Sequence, residues 1–122
     1  FSDWPEWGSF LGGRWVWGTS WRPQPETVTV VPDKDNALAD LPPFDVQDEL
    51  YTDLLLESGV QVLARGHSAA MPTPQPVVWS HTVGAGRVIY DALGHDNESL
   101  HHPGHAQLLR QTVKWALGGA NP

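Results

Sequence analysis

Four of the six histidines in this 122-residue chain lie in one polar segment near its end, at positions 95, 101, 102 and 105. The segment opens with Gly94-His95-Asp96, directly after a run typical of a buried strand. A neutral imidazole can act as a general acid or base, and a neighbouring carboxylate can fix its tautomer. We therefore take His95 as the candidate catalytic group, oriented by Asp96. The same residues fit a structural loop equally well, with His95 bonding the backbone and Asp96 capping a turn.

The other three histidines of the segment, His101, His102 and His105, surround a Pro-Gly pair. Zinc ligands usually lie on fixed elements at regular spacings, so this cluster is a weak metal signal. We expect these histidines to be polar residues of a solvated loop that enters the last helix. A divalent metal such as zinc would have three candidate ligands: His95, His101 and Glu49. The sequence establishes no cofactor.

Asp48 and Glu49 form an acidic pair, with Tyr51 two residues further on. An acid at this place can serve as a base or a metal ligand, or it can simply solvate an exposed strand edge. Alone this pair would carry no weight, and Glu49 is the second candidate catalytic carboxylate only together with His95.

Tryptophan is the second informative residue, because the chain has seven and five of them fall between Trp4 and Trp21. Indole rings stack on sugar rings and also fill protein cores. Trp4 and Trp7 share one face of a short predicted helix, so we assign them to a substrate-stacking wall with Tyr51. His81 completes the candidate substrate-contact set, although an isolated histidine is more often structural. The other tryptophans divide between an expected core pair, Trp79 and Trp115, and a partly exposed group, Trp15, Trp17 and Trp21.

Composition excludes several classes of function. The 14 acidic residues outnumber the 7 Lys and Arg, and no basic cluster is present, so a nucleic-acid groove is not expected. No apolar run reaches the roughly 18 residues of a membrane span. The absence of cysteine rules out disulfides and thiolate chemistry. No targeting peptide is visible, and the sequence leaves the compartment open between the cytoplasm and, after removal of a leader, the periplasm or exterior. Phe1 in place of Met indicates a processed or trimmed chain, or a fragment.

Hydrophobic periodicity predicts a single domain over residues 1–122 that mixes strands and helices. β-Branched runs predict strands at 27–31, 59–65, 77–82 and 87–93, and the alternating run 44–51 is typical of a half-exposed strand. The Gly-bearing link at 83–86 predicts an antiparallel hairpin. A short helix is predicted before Gly12-Gly13, and the closing helix from His105 to Leu117 ends at Gly118-Gly119. We expect 53–58 to be a loop or one helical turn.

Several motifs, taken in order, resemble those of ThuA-like (trehalose utilisation) domains. Four lie in the second half of the chain: PVVW at 76–79, GRVIY at 86–90, LGHD at 93–96 and WALG at 115–118. Three lie upstream: FLGGRW at 10–15, LPPF at 41–44 and DELY at 48–51. The resemblance implies an α/β, flavodoxin-like three-layer sandwich akin to class I glutamine amidotransferases. It also implies a small-molecule carbohydrate substrate, with hydrolysis or elimination on a glycoside or an oxidised (keto) disaccharide.

This chain departs from the family pattern in two ways. It resembles only the C-terminal half of the family's domain, so the sandwich is expected to be incomplete. The His-Pro pairs usual in the family appear here as Gly18-Thr19 and Asp35-Asn36, and four pocket candidates carry over: His95, Asp96, Glu49 and Tyr51. A half-domain exposes strand edges, which predicts a homo-oligomer or pairing with a missing N-terminal half. The alternatives are a non-catalytic sugar-binding or assembly module with a Trp-rich face, and an inactive fragment.

Overall fold

A computed structural model describes residues 3–118 of the chain. This part contains three helices: α1 (Glu6–Leu11), α2 (Asn97–His101) and α3 (Pro103–Ala116). It contains seven strands: β1 (Gly13–Arg14), β2 (Glu26–Pro32), β3 (Phe44–Asp48), β4 (Leu55–Leu56), β5 (Gln61–His67), β6 (Gln75–Val83) and β7 (Gly86–Asp91). No helix within residues 3–118 has both the length and the apolar character needed to cross a membrane.

Five of the strands form one antiparallel sheet in the order β3-β2-β5-β6-β7, and β1 pairs with β4 in a separate two-stranded sheet. The valine-rich sequences of β2 and β6 suit a pleated surface because their branched side chains pack well there. The β6–β7 hairpin pairs Trp79 with Tyr90 and Val78 with Asp91. Since successive strand residues point to opposite faces, Tyr90 and Asp91 face opposite sides of the sheet.

Helices α1 and α3 cover these two faces. On one face, the indole N–H of Trp79 donates to the carbonyl of Leu11, the last residue of α1. On the other, Asp91 contacts His105 of α3. The main apolar core is formed by buried aliphatic side chains: Val28, Val30, Leu38, Leu41, Val46, Leu50, Leu63, Ala64, Val77, Val78, Leu93 and Leu108. Each such side chain contributes roughly 1.5–3 kcal/mol when fully buried, so the sheet and α3 are fixed together.

The principal predicted elements are confirmed. β2, β5, β6 and β7 lie at the predicted strands, the hairpin is antiparallel, and α3 begins two residues before the expected start. Gly12 ends α1 with a φ of 80°, and Gly118 follows α3 with a φ of 96°. The predicted stop at Gly119 lies outside the described residues. Trp79 and Trp115 are buried as expected, and Trp17 is 89% exposed.

Three local predictions were wrong or incomplete. Segment 53–58 contains strand β4, because Leu55–Leu56 pairs with Gly13–Arg14 across the chain. The strand predicted over 44–51 ends at Asp48, where the chain turns inward. The polar histidine segment contains α2, a short helix begun by an Asp96 cap. Each difference comes from a long-range pairing or a capping side chain that hydrophobic periodicity does not register.

Candidate functional site

The end of β3 places Glu49 in the interior, with only 5% of its side chain exposed. Its Oε1 lies 2.7 Å from Nη1 of Arg22, and its Oε2 lies 3.1 Å from Nδ1 of His95. Burying a carboxylate is costly unless neighbouring cations and donors compensate its charge. Arg22, in the segment before β2, supplies that counter-charge. The sequence-predicted pair of Glu49 and His95 is therefore brought together, although 46 positions separate the two residues.

The two ring nitrogens of His95 have different surroundings. Nδ1 faces the buried Glu49, whereas 49% of the side chain is exposed. The contact is a close charge contact rather than an aligned hydrogen bond, and Glu49 Oε2 has no other polar partner among residues 3–118. A carboxylate at Nδ1 favours the tautomer that carries its proton there, which leaves the Nε2 lone pair free. The geometry thus directs Nδ1 of His95 toward Glu49.

Asp48 organises the backbone on which His95 stands. Its Oδ2 accepts from the N–H of Gly94 at 2.7 Å, and its Oδ1 accepts from the N–H of His95 at 3.1 Å. The same carboxylate accepts from the N–H of Glu49 and from the hydroxyl of Ser99. Four donors from two distant segments therefore converge on one buried carboxylate. Asp48 fixes the position of His95 without touching its ring.

Gly94 allows the chain to turn between β7 and α2. Its φ is 91°, in the left-handed region that side chains rarely adopt. A Cβ at this position would lie 2.8 Å from Cδ2 of Leu100. The tight turn carries the N–H groups of Gly94 and His95 toward Asp48, so the glycine is required by both backbone conformation and close packing.

A series of polar side-chain contacts leads from Asp48 into the interior. The Ser99 hydroxyl lies 3.3 Å from Nδ1 of His105, which is also 2.9 Å from the Ser99 carbonyl oxygen. His105 Nε2 lies 2.8 Å from Oδ2 of Asp91. One ring nitrogen faces a carbonyl and the other a carboxylate, so these partners favour the protonated ring, in which both nitrogens donate. Burial lowers the pKa of His105, but the hydrogen bond and charge of Asp91 outweigh it, so the pKa is raised.

The prediction of a solvated loop is therefore wrong for His105, which has no exposed surface. His101 is exposed, and its Nδ1 bonds the Asn97 carbonyl oxygen at 2.8 Å. His102 caps α3 by accepting from the N–H of Gly104. His102 lies at the entry to the last helix, as the pattern predicted, whereas His101 ends the unpredicted α2 and His105 is a buried ion-pair partner.

Asp96 is the N-cap of α2, where its carboxylate accepts from the N–H of Ser99 at 3.1 Å. This is the structural alternative considered for it, and the carboxylate that contacts His95 is that of Glu49. Of the three candidate metal ligands, His95 and Glu49 contact each other, but His101 does not join them: among residues 3–118 no three His, Asp or Glu side chains form a possible metal-binding group. The described donor set therefore does not fit a metal ion.

An aromatic pocket of about 500 Å³ lies between α1 and the segment that follows β1. The rings that line it include Trp4, Trp7, Trp15, Trp17 and Tyr90. The centroids of Trp4 and Trp7 are 4.8 Å apart, and Tyr90 stacks on Trp79 at 4.4 Å. The predicted pairing of Trp4 with Trp7 is thus present, and both rings line a concave surface.

Tyr51 connects this pocket to Glu49. Its ring meets Trp15 edge to face, with centroids 5.7 Å apart. Burial raises the pKa of Tyr51, the negative charge of Glu49 raises it further, and Arg22 acts in the opposite direction. The pKa of Tyr90 is also raised, chiefly by burial and to a smaller extent by Tyr51. Both phenols therefore remain protonated donors between the rings and the acid–imidazole pair.

His81 does not lie among the residues that line the pocket. It is on β6 beneath the end of α1, and a Cβ on Gly12 would come within 3.0 Å of its ring. Its buried Nδ1 has no hydrogen-bond partner among the described residues. The structure thus places His81 as a packing residue under α1.

Sequence reasoning missed two residues of the site. Arg22 gave no signal, because its neighbours Pro23 and Pro25 suggested only a break in regular structure. Asp48 was noticed with Glu49, but nothing in its spacing revealed that it would accept from a loop more than 40 positions away. Long-range partners of this kind depend on the tertiary arrangement, which no local pattern encodes.

The fold and site define a domain of mixed helices and strands in which a buried carboxylate contacts an exposed imidazole and aromatic rings line a separate pocket. The family model described as ThuA, trehalose utilisation, matches residues 1–116. The chain therefore belongs to the ThuA (trehalose utilisation) family, as the motifs predicted. No curated protein matches the chain.

A solved structure of a ThuA-like protein from Parabacteroides merdae shares this fold. The TM-score is 0.79 at 20% sequence identity, and the match covers 99% of this chain. It covers 57% of the Parabacteroides protein, so this chain spans little more than half the length of that relative.

Proposed function

We propose that this chain is a carbohydrate-directed ThuA-family domain in which His95 is the general acid and base for a glycoside or an oxidised (keto) disaccharide. The observation that carries the proposal is the contact of His95 Nδ1 with the buried Oε2 of Glu49 at 3.1 Å. The side chain of His95 is 49% exposed, and its other ring nitrogen, Nε2, would then carry out proton transfer. The aromatic pocket beside Tyr51 provides rings of the kind that stack on sugars.

The residues suggest an order of steps for a sugar that carries a keto group next but one to the anomeric carbon. Nε2 of His95 removes the proton from the carbon between the carbonyl and the anomeric carbon. The electron pair of that C–H bond forms a double bond to the anomeric carbon, and the glycosidic C–O bond breaks. The imidazolium returns its proton to the departing oxygen, so the leaving sugar is released neutral. Glu49 stabilises the intermediate imidazolium through Nδ1.

Arg22 and Tyr51 assist this pair. Arg22 neutralises part of the charge of Glu49 at 2.7 Å, which allows a carboxylate to stay in the interior. Tyr51 keeps its proton because its pKa is raised, so it can donate to a sugar oxygen at the junction of pocket and imidazole. Trp4 and Trp7 form the stacking wall. In this proposal, additional polypeptide or a second copy of the chain completes the flavodoxin-like three-layer sandwich and covers the site.

A second candidate function is a non-catalytic sugar-binding module. One observation favours it: the residues that line the aromatic pocket do not include His95 or Glu49. In this case the ring wall alone binds the sugar, and the acid–imidazole pair only stabilises the loop. The two functions predict different behaviour of the same variants.

The deciding experiment measures turnover of keto-disaccharides and, separately, sugar binding by tryptophan fluorescence. Under the catalytic proposal, His95→Ala lowers turnover by about 10²–10⁴-fold and leaves binding unchanged, as expected for loss of a general base. His101→Ala, an exposed histidine of the same segment, is the matched control and retains turnover. Wild-type turnover in His95→Ala contradicts the proposal. Loss of binding in Trp4→Ala, with no turnover by the wild type, supports the binding module instead.

A further inference from the structure

The aromatic pocket contains one side chain that neither the ring wall nor the proposed chemistry explains. Arg14, the last residue of β1, is the only ionised side chain among the residues that line it. Within residues 3–118, no carboxylate lies at ion-pair distance from its guanidinium, and no aromatic ring lies beneath it. The chain carries a net charge of −7. A cation without a partner in so acidic a chain, at a concave site, points to an anionic ligand.

The stem of Arg14 is held in place by packing on α1. A Cβ at Gly8 would lie 3.0 Å from Cδ of Arg14 and 3.3 Å from its Cβ, so the absent side chain at Gly8 makes room for this stem. The backbone of Arg14 is fixed by its pairing with Leu55 of β4. The guanidinium is therefore presented from two ordered elements rather than from a free loop, which lowers the entropic cost of using it.

We propose that this pocket binds an acidic sugar, a pyranose whose carboxylate or phosphate pairs with Arg14 while its ring stacks on the indoles of Trp4 and Trp7. The proposal rests on the proposed function and names its substrate class. The pocket volume of about 500 Å³ accommodates a ligand of this size. A guanidinium recognises both anions because its planar N–H groups match two oxygens at once. A neutral pyranose makes the same stacking contact but leaves the guanidinium unused.

The binding experiment titrates the whole chain with four probes: glucose, glucuronate, glucose 6-phosphate and inorganic phosphate. Calorimetry gives the affinities, and tryptophan fluorescence reports whether the pocket is the site. At least one acidic sugar binds about ten-fold more tightly than glucose, as expected for one exposed charge-assisted contact. The acidic sugar that gains more affinity relative to glucose shows whether the recognised anion is the carboxylate of glucuronate or the phosphate of glucose 6-phosphate. Equal affinities for glucose and both acidic sugars overturn the proposal, and so does inorganic phosphate that binds as tightly as glucose 6-phosphate.

Three variants test the role of Arg14 itself. Arg14→Gln abolishes the preference for the acidic sugar and leaves glucose binding unchanged, whereas Arg14→Lys retains part of the preference. Arg110→Gln removes an exposed arginine on α3 and is the matched control for net charge. Thermal melts establish that each variant is folded. A preference that persists in Arg14→Gln, or that disappears equally in Arg110→Gln, overturns the assignment.

Failure of this inference is distinguishable from failure of the catalytic proposal. Acidic-sugar binding is measured without turnover, and His95→Ala keeps it, because His95 does not line the pocket. An active wild type that binds glucose and both acidic sugars equally overturns only the acidic-sugar assignment. An inactive wild type that prefers glucuronate through Arg14 overturns only the catalytic assignment.

Discussion

The carboxylate of Asp48 holds the main chain of His95, accepting from its N–H at 3.1 Å, while the neighbouring Glu49 contacts its ring. Two adjacent acids at the end of β3 thus contact one histidine, one at its backbone and the other at its ring. Asp48 fixes the backbone of His95, and Glu49 contacts Nδ1 of its ring. Asp48 is accordingly a positioning residue, since its contacts with Gly94 and His95 are to the backbone of the loop.

Asp48→Asn should destabilise the fold and misplace His95. The amide replaces one carboxylate oxygen with a group that cannot accept hydrogen bonds, so two of the four converging donors lose their acceptor. We expect a loss of about 2–4 kcal/mol in the free energy of unfolding, measured with urea. Asp45→Asn, on the exposed face of the same strand, is the matched control and should change stability by less than about 0.5 kcal/mol. Equal stability of the two variants would show that Asp48 has no organising role.

The buried pair of His105 and Asp91 should make stability depend on pH. The folded pKa of His105 is raised above the unfolded value of about 6.5. The pair's stabilisation is therefore fully present below about pH 6.5, and it is lost as the pH rises through the folded pKa. The other acid that faces the ring, Asp48, acts in the same direction. Urea unfolding from about pH 6 to pH 9 measures the effect.

His105→Gln isolates the contribution of this pair from the general titration of an acidic chain. The difference in unfolding free energy between wild type and His105→Gln should be largest near pH 6 and should shrink toward about pH 9. An NMR titration gives the imidazole pKa directly, with exposed His101 as the internal reference. A difference that is constant across this range would mean that the ring does not change its charge.

The phenol pKa of Tyr51 depends on the charges around Glu49. The charge of Glu49 raises the pKa of Tyr51 and that of Arg22 lowers it. Glu49→Gln should therefore lower the phenol pKa, and Arg22→Gln should raise it further. The chain has only two tyrosines, so absorbance titration in a Tyr90→Phe background follows Tyr51 alone. Shifts of the same sign in both variants would be incompatible with the geometry of this pair.

Much of the architecture could be predicted from local patterns. Strands β2 and β6 are marked by several valines, β7 by Val88-Ile89-Tyr90, and α3 by its periodic apolar face and a following glycine. The hairpin follows from the short Gly-bearing link. These features depend on residues close together in the chain, for which propensity and turn chemistry carry the information.

Only part of the site could be predicted from the sequence, because some of its residues act through contacts between distant parts of the chain. His95 and Glu49 are chemically conspicuous, so their residue types alone made them candidates. Arg22 and Asp48 contribute through contacts between distant parts of the chain. Asp96 was expected to orient His95, but it caps α2 instead. His105 became buried because Asp91 lies opposite it on β7, a pairing that only the packed sheet and helix create.

The packing of α3 on β3 gives the last prediction, because Gly104 lies against the ring of Phe44. Alanine in place of glycine within a helix normally stabilises a protein by about 0.5–1 kcal/mol. Here a Cβ would lie 2.5 Å from Cγ of Phe44, whose ring also stacks on His102. Gly104→Ala should therefore destabilise the fold, by about 1–3 kcal/mol in urea unfolding. In a Phe44→Ala background the same substitution should cost little or be stabilising, since the obstructing ring is gone. A stabilising effect of Gly104→Ala in the wild type would show that α3 can move away from β3 at no cost.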